Sequence, residues 1–222
     1  YTFTSAHNLY IDENGVGYIF GANHESGGAI FLDLTQDPLA PLEMGLFDDY
    51  YIHDGMARGD TLWASHVSDG FQSAIDVTNK SNPVMLSNWN TPNNFTHNCW
   101  ISADGNIIFT TDEKSGAYIA SYDVSDINNV SELDRIQSNP GSGVIPHNTH
   151  YLDGYIITSY YRDGVTIHDV SRPGNMIEIG SYDSYSQGQG DGFNGDWGAY
   201  PWLQSGNIII SDIENGLFVL GP

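Results

Sequence analysis

An internal repeat marked by histidine constrains the fold of this chain more than any other feature of its sequence. In each clear copy a small or apolar residue precedes the histidine, and Asn or Asp follows it. These copies are Ala6-His7-Asn8, Ile52-His53-Asp54, Thr96-His97-Asn98 and Pro146-His147-Asn148, spaced by 46, 44 and 50 residues. A fifth copy begins at Asp196-Trp197-Gly198, where Trp197 stands in the place of the histidine. A period of this length indicates a repeat architecture.

Each copy also carries the same series of short strand-forming segments. About ten residues after the histidine comes a run of β-branched and aromatic residues, such as Ile107–Thr110 or Tyr155–Thr158. Such runs, bounded by Gly, Asp and Asn, predict buried strands. A second run closes in four copies with Asp, then Leu or Val, then Thr or Ser, and a further half-apolar strand follows. The four closing triplets are Asp33-Leu34-Thr35, Asp76-Val77-Thr78, Asp123-Val124-Ser125 and Asp169-Val170-Ser171.

The repeat therefore predicts an all-β fold, a β-propeller built from about five four-stranded blades of 44–50 residues. A small twisted sheet cannot bury both of its faces alone, and packing copies against one another solves this problem. We expect one propeller domain over residues 1–222, with repeats starting near residues 4, 50, 94, 144 and 194. The last copy stops after its third strand, so the opening residues Tyr1–Thr4 are expected to complete it.

Several segments of the chain carry a family resemblance. The Asp-Val-Ser closing turns, Pro146–His150, Ser159–Gly164 and Ser211–Phe218 resemble the LVIVD-repeat β-propellers of bacterial choice-of-anchor B surface proteins. The resemblance covers essentially the whole chain. It implies a propeller fold, export and anchoring at the cell surface, and it implies no settled reaction. Members of that family carry further repeats upstream, so the five blades form either a closed ring or part of a larger one.

Composition excludes two classes of partner. The chain has 28 acidic and 6 basic residues, a formal net charge of −22. Nucleic acid and anionic lipid are bound through clustered Lys and Arg, which this chain lacks.

No apolar run is long enough for direct membrane insertion. The N-terminus shows no basic segment followed by an apolar core, so we expect any export signal to have been removed. The acidic, lysine-poor composition favours an extracellular protein.

The repeated histidines are the strongest candidates for chemistry. Neutral imidazole binds Zn, Cu, Fe or Ni and can transfer protons near neutral pH. Equivalent positions on successive blades face one axial funnel, so His7, His53, His97 and His147 are expected to converge there. His150 lies beside this register. Alternatively, a repeated histidine serves only to lock neighbouring blades together.

A second register of side chains follows the apolar strand of each repeat. It holds His24, His66, Asp112, Tyr161 and Asp212, which would serve as additional ligands or as acceptors for the imidazole N–H groups. Asn8, Asp54, Asn98 and Asn148 could accept in the same way. The complete set of predicted metal ligands is His7, His53, His97, His147, His150, His24, His66, Asp112 and Asp212.

Three hypotheses for function stay open at this point. The first is a secreted, cell-surface binding or structural module whose funnel holds a divalent transition metal, with a protein or glycan as partner. Several imidazoles without a thiolate favour Cu, Zn or Fe, and Ca is a weaker candidate. The second is an enzyme that uses Cu, Fe or Zn on the axial histidines, with acid–base roles for His150 or Asp112. The third is a metal-free adhesin or filament subunit. The sequence leaves open whether the chain is an enzyme.

Overall fold

The fold was examined in a computed structural model, which describes residues 2–221. Within this range the secondary structure consists of strands without a helix, and consecutive strands pair antiparallel. The first eight strands are β1 (Asn8–Ile11), β2 (Val16–Phe20), β3 (Ala29–Asp33), β4 (Leu42–Phe47), β5 (Asp54–Arg58), β6 (Thr61–His66), β7 (Phe71–Asp76) and β8 (Val84–Asn90). The next eight are β9 (Thr96–Ile101), β10 (Ile107–Asp112), β11 (Ile119–Asp123), β12 (Ser131–Ile136), β13 (Thr149–Leu152), β14 (Tyr155–Ser159), β15 (Val165–Asp169) and β16 (Ile177–Tyr182). The last three are β17 (Asp196–Tyr200), β18 (Ile208–Asp212) and β19 (Gly216–Leu220).

These strands form one sheet for each repeat, in the order of the chain. The four-stranded sheets are β1-β2-β3-β4, β5-β6-β7-β8, β9-β10-β11-β12 and β13-β14-β15-β16. The last sheet, β17-β18-β19, has three strands within residues 2–221. The fold is an all-β propeller with five blade sheets, which confirms the predicted fold class.

The opening residues pack on the first sheet. Phe3 contacts a small apolar cluster that contains Ala22, Ile30 and Leu32. Residues 2–7 form no strand, and the backbone N–H groups of Thr4 and Ser5 donate to the side chain of Asn23. The expected fourth strand from Tyr1–Thr4 is absent from the part of the last sheet that the structure describes, and Tyr1 itself lies outside the described residues.

The chain divides into two compact units. The first contains Tyr1–Asn90 and Asn94–Asn98, and the second contains Thr91–Asn93 and Cys99–Pro222. The boundary falls within β9, which belongs to the first unit up to Asn98 and to the second from Cys99. The prediction of a single domain over residues 1–222 stays a prediction.

Each unit has its own apolar core. In the first unit the core includes Tyr18, Phe20 and Phe31, all fully buried. In the second, Phe109 and Ile156 belong to the corresponding cluster. Each such side chain contributes about 1.5–3 kcal/mol through burial. The central strands of the first sheets are buried on both faces, whereas the fourth strands are largely exposed, and β8 alternates between exposed and half-buried residues as a strand with one solvated face does.

The closing triplets have a clear structural role. The aspartate carboxylate accepts the backbone N–H two residues later, as in Asp76 to Thr78 at 2.8 Å and Asp123 to Ser125 at 2.9 Å. This Asx turn fixes the bend after the third strand of a sheet. The middle residue then packs inward, and Val77 is fully buried. The triplet therefore has two roles: its aspartate ends the strand in a turn, and its middle residue packs in the core.

Residues 2–221 include no helix long and apolar enough to cross a membrane.

Candidate metal centre

Three repeated histidines of the first unit lie together. His7, His53 and His97 each offer a ring nitrogen, and these atoms all lie within 4.8 Å of one another. The ring centroids are 3.8 Å apart for His7 and His53 and 4.4 Å apart for His53 and His97. Zinc–nitrogen bonds are about 2.1 Å long, so two nitrogens on one ion are at most about 4.2 Å apart. Small rotations of the rings would therefore bring all three to a shared ion.

The backbone places the first two of these rings in the same way. His7 and His53 come directly before the first strands of their sheets. The N–H of His7 donates to the carbonyl of Phe20, and that of His53 donates to the carbonyl of Ser65, both at 2.9 Å. His97 is the second residue of β9 and is 2% exposed. The repeat thus supplies one ring from each of three separate sheets, at the start of the first strand or directly before it.

Burial favours the neutral, metal-binding form of His7 and His53. Burial lowers the pKa of His7. Burial, and then the neighbouring His7, lower the pKa of His53 to about 4. The Nε2 atom of His53 is buried and has no hydrogen-bond partner among the described residues. An unpaired buried polar atom costs about 1–3 kcal/mol, and coordination of an ion would recover this cost.

Tyr51 borders the histidine group and was not among the predicted residues. Its hydroxyl lies 3.4 Å from Nδ1 of His53. Gly21 lies close to both side chains: a Cβ there would be 2.7 Å from Cβ of His7 and 2.9 Å from the Tyr51 hydroxyl. Its φ of 59° is also a conformation that glycine adopts without strain. Only glycine at this position leaves room for the histidine and the tyrosine.

The residues that follow the three histidines form a buried hydrogen-bond network. Asp54 is 4% exposed, and its Oδ2 accepts from Nδ2 of Asn98 at 2.8 Å. Its Oδ1 accepts the N–H of Gly55 at 2.7 Å. The Asp54 carboxylate also forms a hydrogen bond with the side chain of Asn8. Burial raises the pKa of Asp54 to about 6. These residues bond to one another and so join the strands that follow or carry the three histidines.

In the second unit, His147 neighbours a carboxylate and a phenol. Its Nδ1 donates to the carbonyl of Trp197, and its Nε2 lies 3.9 Å from Oε1 of Glu113. The hydroxyl of Tyr161 donates to the same Oε1 at 2.5 Å. Burial raises the pKa of both Glu113 and Tyr161. The second register pointed to Tyr161, whereas Glu113 was missed because it lies one residue past the repeated position.

His150, a further predicted ligand in the second unit, lies in an aromatic cluster. Its ring centroid is 4.8 Å from both Trp100 and Trp202. Burial lowers the pKa of His150 to about 4. The ring is therefore surrounded by aromatic side chains.

Three members of the second register already bond protein groups. His66 donates from Nδ1 to the carbonyl of Tyr51 and accepts at Nε2 from the hydroxyl of Ser73. Both carboxylate oxygens of Asp112 accept hydrogen bonds, from the hydroxyl of Thr91 and the N–H of Asn93. Asp212 accepts from three partners, which are Ser184, Glu214 and Asn215.

The fourth member with a metal-ligating side chain, His24, lies half-buried in a turn, where its carbonyl accepts the N–H of Gly27. The assignment of the second register as ligands stays a prediction.

In the last repeat the strand pairing is shifted by one residue from the one that the sequence repeat predicts. A β-bulge between Asp196 and Gly198 displaces Trp197 from the ladder, so that Asp196 pairs with Asp212. Asp196 is fully buried, and burial raises the pKa of its carboxyl to about 8. The sheet therefore brings Asp196, and not Trp197, opposite Asp212 of the second register.

Solved structures share this fold at low sequence identity. A protein from Lactobacillus plantarum matches 98% of this chain and 70% of its own, with a TM-score of 0.75 and 10% identity. The periplasmic gluconolactonase of Pseudomonas aeruginosa matches 95% of this chain with a TM-score of 0.75 and 11% identity, and the match spans 64% of that enzyme. A Bacteroides uniformis protein assigned as a 6-phosphogluconolactonase matches 98% of this chain and 72% of its own, with a TM-score of 0.71 and 15% identity.

At these identities the similarity shows the propeller fold alone. The chain spans about two thirds of the length of these structural relatives. No protein-family model matches it, and no curated protein does. The fold is therefore shown by structure, and function has to be argued from the residues.

Proposed function

We propose that this chain is an exported β-propeller binding module that holds a divalent transition metal on His7, His53 and His97. The observation that carries the proposal is the proximity of three imidazole ligand atoms, all within 4.8 Å, from three separate repeats. Residues so far apart in the sequence meet here because each occupies the same place in its repeat.

The ligand types favour zinc, copper or iron over calcium. All three ligands are imidazole nitrogens, and Ca²⁺ prefers six to eight oxygen ligands. Three protein ligands also leave a coordination position for water or for a partner's side chain. His7 is exposed, so the site is open to solvent on its side. The metal would therefore be accessible to a binding partner.

The proposed location and partner depend on composition and resemblance. A net charge of −22 opposes binding to nucleic acid and to anionic membranes. The similarity of the repeats to LVIVD surface propellers supports export to the cell surface, and the periplasmic location of one structural relative is compatible with it. We propose a protein or glycan at the cell surface as the partner.

Metal analysis of the untagged protein tests the proposed centre. We expect about one transition-metal ion per chain after exposure to equimolar Zn²⁺ or Cu²⁺, because three imidazoles with ligand atoms within 4.8 Å of one another form a preassembled ligand set. The variant His53→Ala/His97→Ala should retain almost none, since one ligand remains. Elemental analysis after gel filtration measures the metal content, and isothermal titration calorimetry gives the affinity.

A matched control changes a histidine outside the predicted ligand set. His168 is buried in β15, and His168→Leu should bind metal as the wild type does. A wild-type protein without bound metal would favour a metal-free adhesin or filament subunit. Metal content in His53→Ala/His97→Ala equal to that of the control would contradict the assignment of these ligands.

A second candidate function is hydrolysis of a cyclic ester at His147. Its Nδ1 donates to the Trp197 carbonyl, so Nε2 is the basic nitrogen, and the carboxyl of Glu113 lies 3.9 Å away. Two structural relatives are named as lactonases. In the proposed reaction Nε2 takes a proton from water, whose oxygen attacks the carbonyl carbon. The ring C–O bond then breaks, and the proton passes to the alkoxide.

A lactonase assay tests this second candidate. With glucono-1,5-lactone we expect turnover above the spontaneous rate, and His147→Gln should lower kcat by about 100-fold or more, because a general base contributes about 10²–10⁴-fold. A pH-stat records the acid released. His24→Gln is the control, because His24 lies half-buried in a turn of the first unit. Activity equal to the spontaneous rate would eliminate this candidate.

A further inference from the structure

The residue directly after each of the three grouped histidines belongs to one buried network. Asp54 occupies its centre and accepts hydrogen bonds from the side chains of Asn98 and Asn8. The N–H of Gly55 donates to its other oxygen. Asp54 and Asn98 are 4% and 3% exposed, so water contributes little to these contacts. One carboxylate thus joins three strands at the position next to each imidazole.

The network suits a role in fixing distances between strands. A carboxylate only accepts hydrogen bonds, and a buried one is stable only when donors surround it. Adjacent Cα atoms are about 3.8 Å apart, so a shift of Asp54 or its partners moves the neighbouring histidine by a similar amount. Ligand atoms on one metal ion tolerate displacements of only a few tenths of an ångström.

The equivalent position in the fourth repeat lacks this network. Asn148 follows His147 in the same way, but its Oδ1 is buried without a hydrogen-bond partner among the described residues. Its own N–H bonds to the hydroxyl of Ser159 in the same sheet. A polar residue after the histidine is thus a general feature of the repeat, and the carboxylate link is specific to the three grouped histidines.

We infer that Asp54, held by Asn8 and Asn98, is a positioning residue that sets the spacing of His7, His53 and His97 for metal binding. The inference rests on the proposed function. Asp54 acts through the backbone beside each ligand and does not touch the ion. Its removal therefore weakens metal binding while leaving all three imidazoles in the chain.

Zn²⁺ affinity of single and paired variants tests this role. In Asp54→Asn the new amide N–H₂ faces that of Asn98, so two donors meet in place of a donor and an acceptor. We expect about a 10–100-fold loss of Zn²⁺ affinity, the usual effect of removing a group that orients a metal ligand. Asp54→Asn/Asn98→Asp exchanges donor and acceptor and should recover most of the affinity. Competition with a chromophoric chelator gives the affinities.

Two further variants separate positioning from general stability. Asp76→Asn makes the same chemical change at the far end of the same sheet, in a closing turn, and should bind Zn²⁺ as the wild type does. Asn8→Ala removes one donor from a less buried strand and serves if Asp54→Asn does not fold. It should weaken binding about threefold or more. The visible spectrum of bound Co²⁺ reports ligand geometry, and it should change in Asp54→Asn and Asn8→Ala but not in Asp76→Asn.

The outcomes distinguish the inference from the proposal on which it rests. A wild type that binds no Zn²⁺ overturns both. The positioning role alone is overturned if the wild type binds Zn²⁺ and Asp54→Asn shows the same affinity and the same Co²⁺ spectrum. If Asp54→Asn does not fold, the same result for Asn8→Ala overturns it. Failure of the exchanged pair to regain affinity, when Asp54→Asn has lost it, also contradicts the donor–acceptor explanation.

Discussion

Replacement of Gly28 by alanine is expected to lower the free energy of unfolding by more than about 4 kcal/mol, at the upper end of single substitutions. A Cβ at this position would lie 1.9 Å from the carbonyl oxygen and 2.9 Å from the carbonyl carbon of Phe47. Both are backbone atoms of the last residue of β4. Phe47 pairs with Ala29, so the two strands cannot separate without breaking the β3–β4 ladder. Denaturant unfolding followed by circular dichroism measures the change.

Gly105 provides the control for this substitution. Its φ of 78° disfavours a side chain, but a Cβ there would meet no atom within 4 Å. Gly105→Ala should therefore cost only about 1–2 kcal/mol, from backbone strain alone. A Gly28→Ala variant that unfolds within about 1 kcal/mol of the wild type would show that β4 can move away from this contact.

The second large effect is expected from acidification, through His168. This residue lies in β15, is fully buried, and burial lowers its pKa to about 4. Because this histidine takes up a proton near pH 6.5 in the unfolded chain, the free energy of unfolding keeps its full value above that pH. It falls as the pH drops from about 6.5 to 4. The loss reaches about 3 kcal/mol for this group. Burial of His53, His66 and His150, each with a pKa near 4, acts in the same direction.

His168→Leu isolates this contribution. Neither ring nitrogen of His168 has a hydrogen-bond partner among the described residues, and the nearest carboxylate oxygen, on partly exposed Glu178, is 3.9 Å from Nε2. Leucine thus removes the titration without removing a hydrogen bond. We expect the variant to match the wild type within about 1 kcal/mol at pH 7 and to exceed it by about 2 kcal/mol at pH 4.5. Urea unfolding at both pH values measures the difference.

The control for the acid effect is Met176→Leu, a volume-conserving change at a buried residue that does not titrate. Its free energy of unfolding should follow the wild-type curve as the pH falls. If His168→Leu also loses stability in parallel with the wild type between pH 7 and 4.5, the burial of His168 does not contribute to the acid sensitivity of the fold.

The fold could be predicted from sequence because every repeat carries its own local instructions. The Asp33-Leu34-Thr35 and Asp169-Val170-Ser171 triplets form the same Asx turn from residues adjacent in the chain. Strand lengths and turns were therefore readable in each copy separately. The position of the opening residues was not, because Phe3 packs through contacts that no local pattern encodes.

The candidate site was only partly predictable. His7, His53 and His97 share one place in the repeat, and rotation from one repeat to the next brings them together. His66 carries the same side chain, yet hydrogen bonds to Tyr51 and Ser73 engage both of its ring nitrogens. Such partners depend on how strands pack and leave no mark on spacing.

Two features of the second unit escaped prediction for related reasons. The bulge at Trp197 adds one residue to its strand, so that Asp196 rather than Trp197 pairs with the neighbouring strand. Spacing alone does not reveal such an insertion. Glu113 lies one residue beyond the repeated position, and its place beside His147 is shown by the 3.9 Å distance to Nε2 and by the hydrogen bond from Tyr161.

The separation of the three grouped histidines along the chain gives ion binding a mechanical consequence. The chain has a single cysteine and cannot form an internal disulfide. An ion on His7, His53 and His97 closes two loops of 46 and 44 residues, as a covalent cross-link would. Closing loops of this length removes about 4 kcal/mol of unfolded-state entropy each in the polymer model of cross-links. The ion would thus cross-link the beginnings of three successive repeats, so that these repeats would unfold cooperatively.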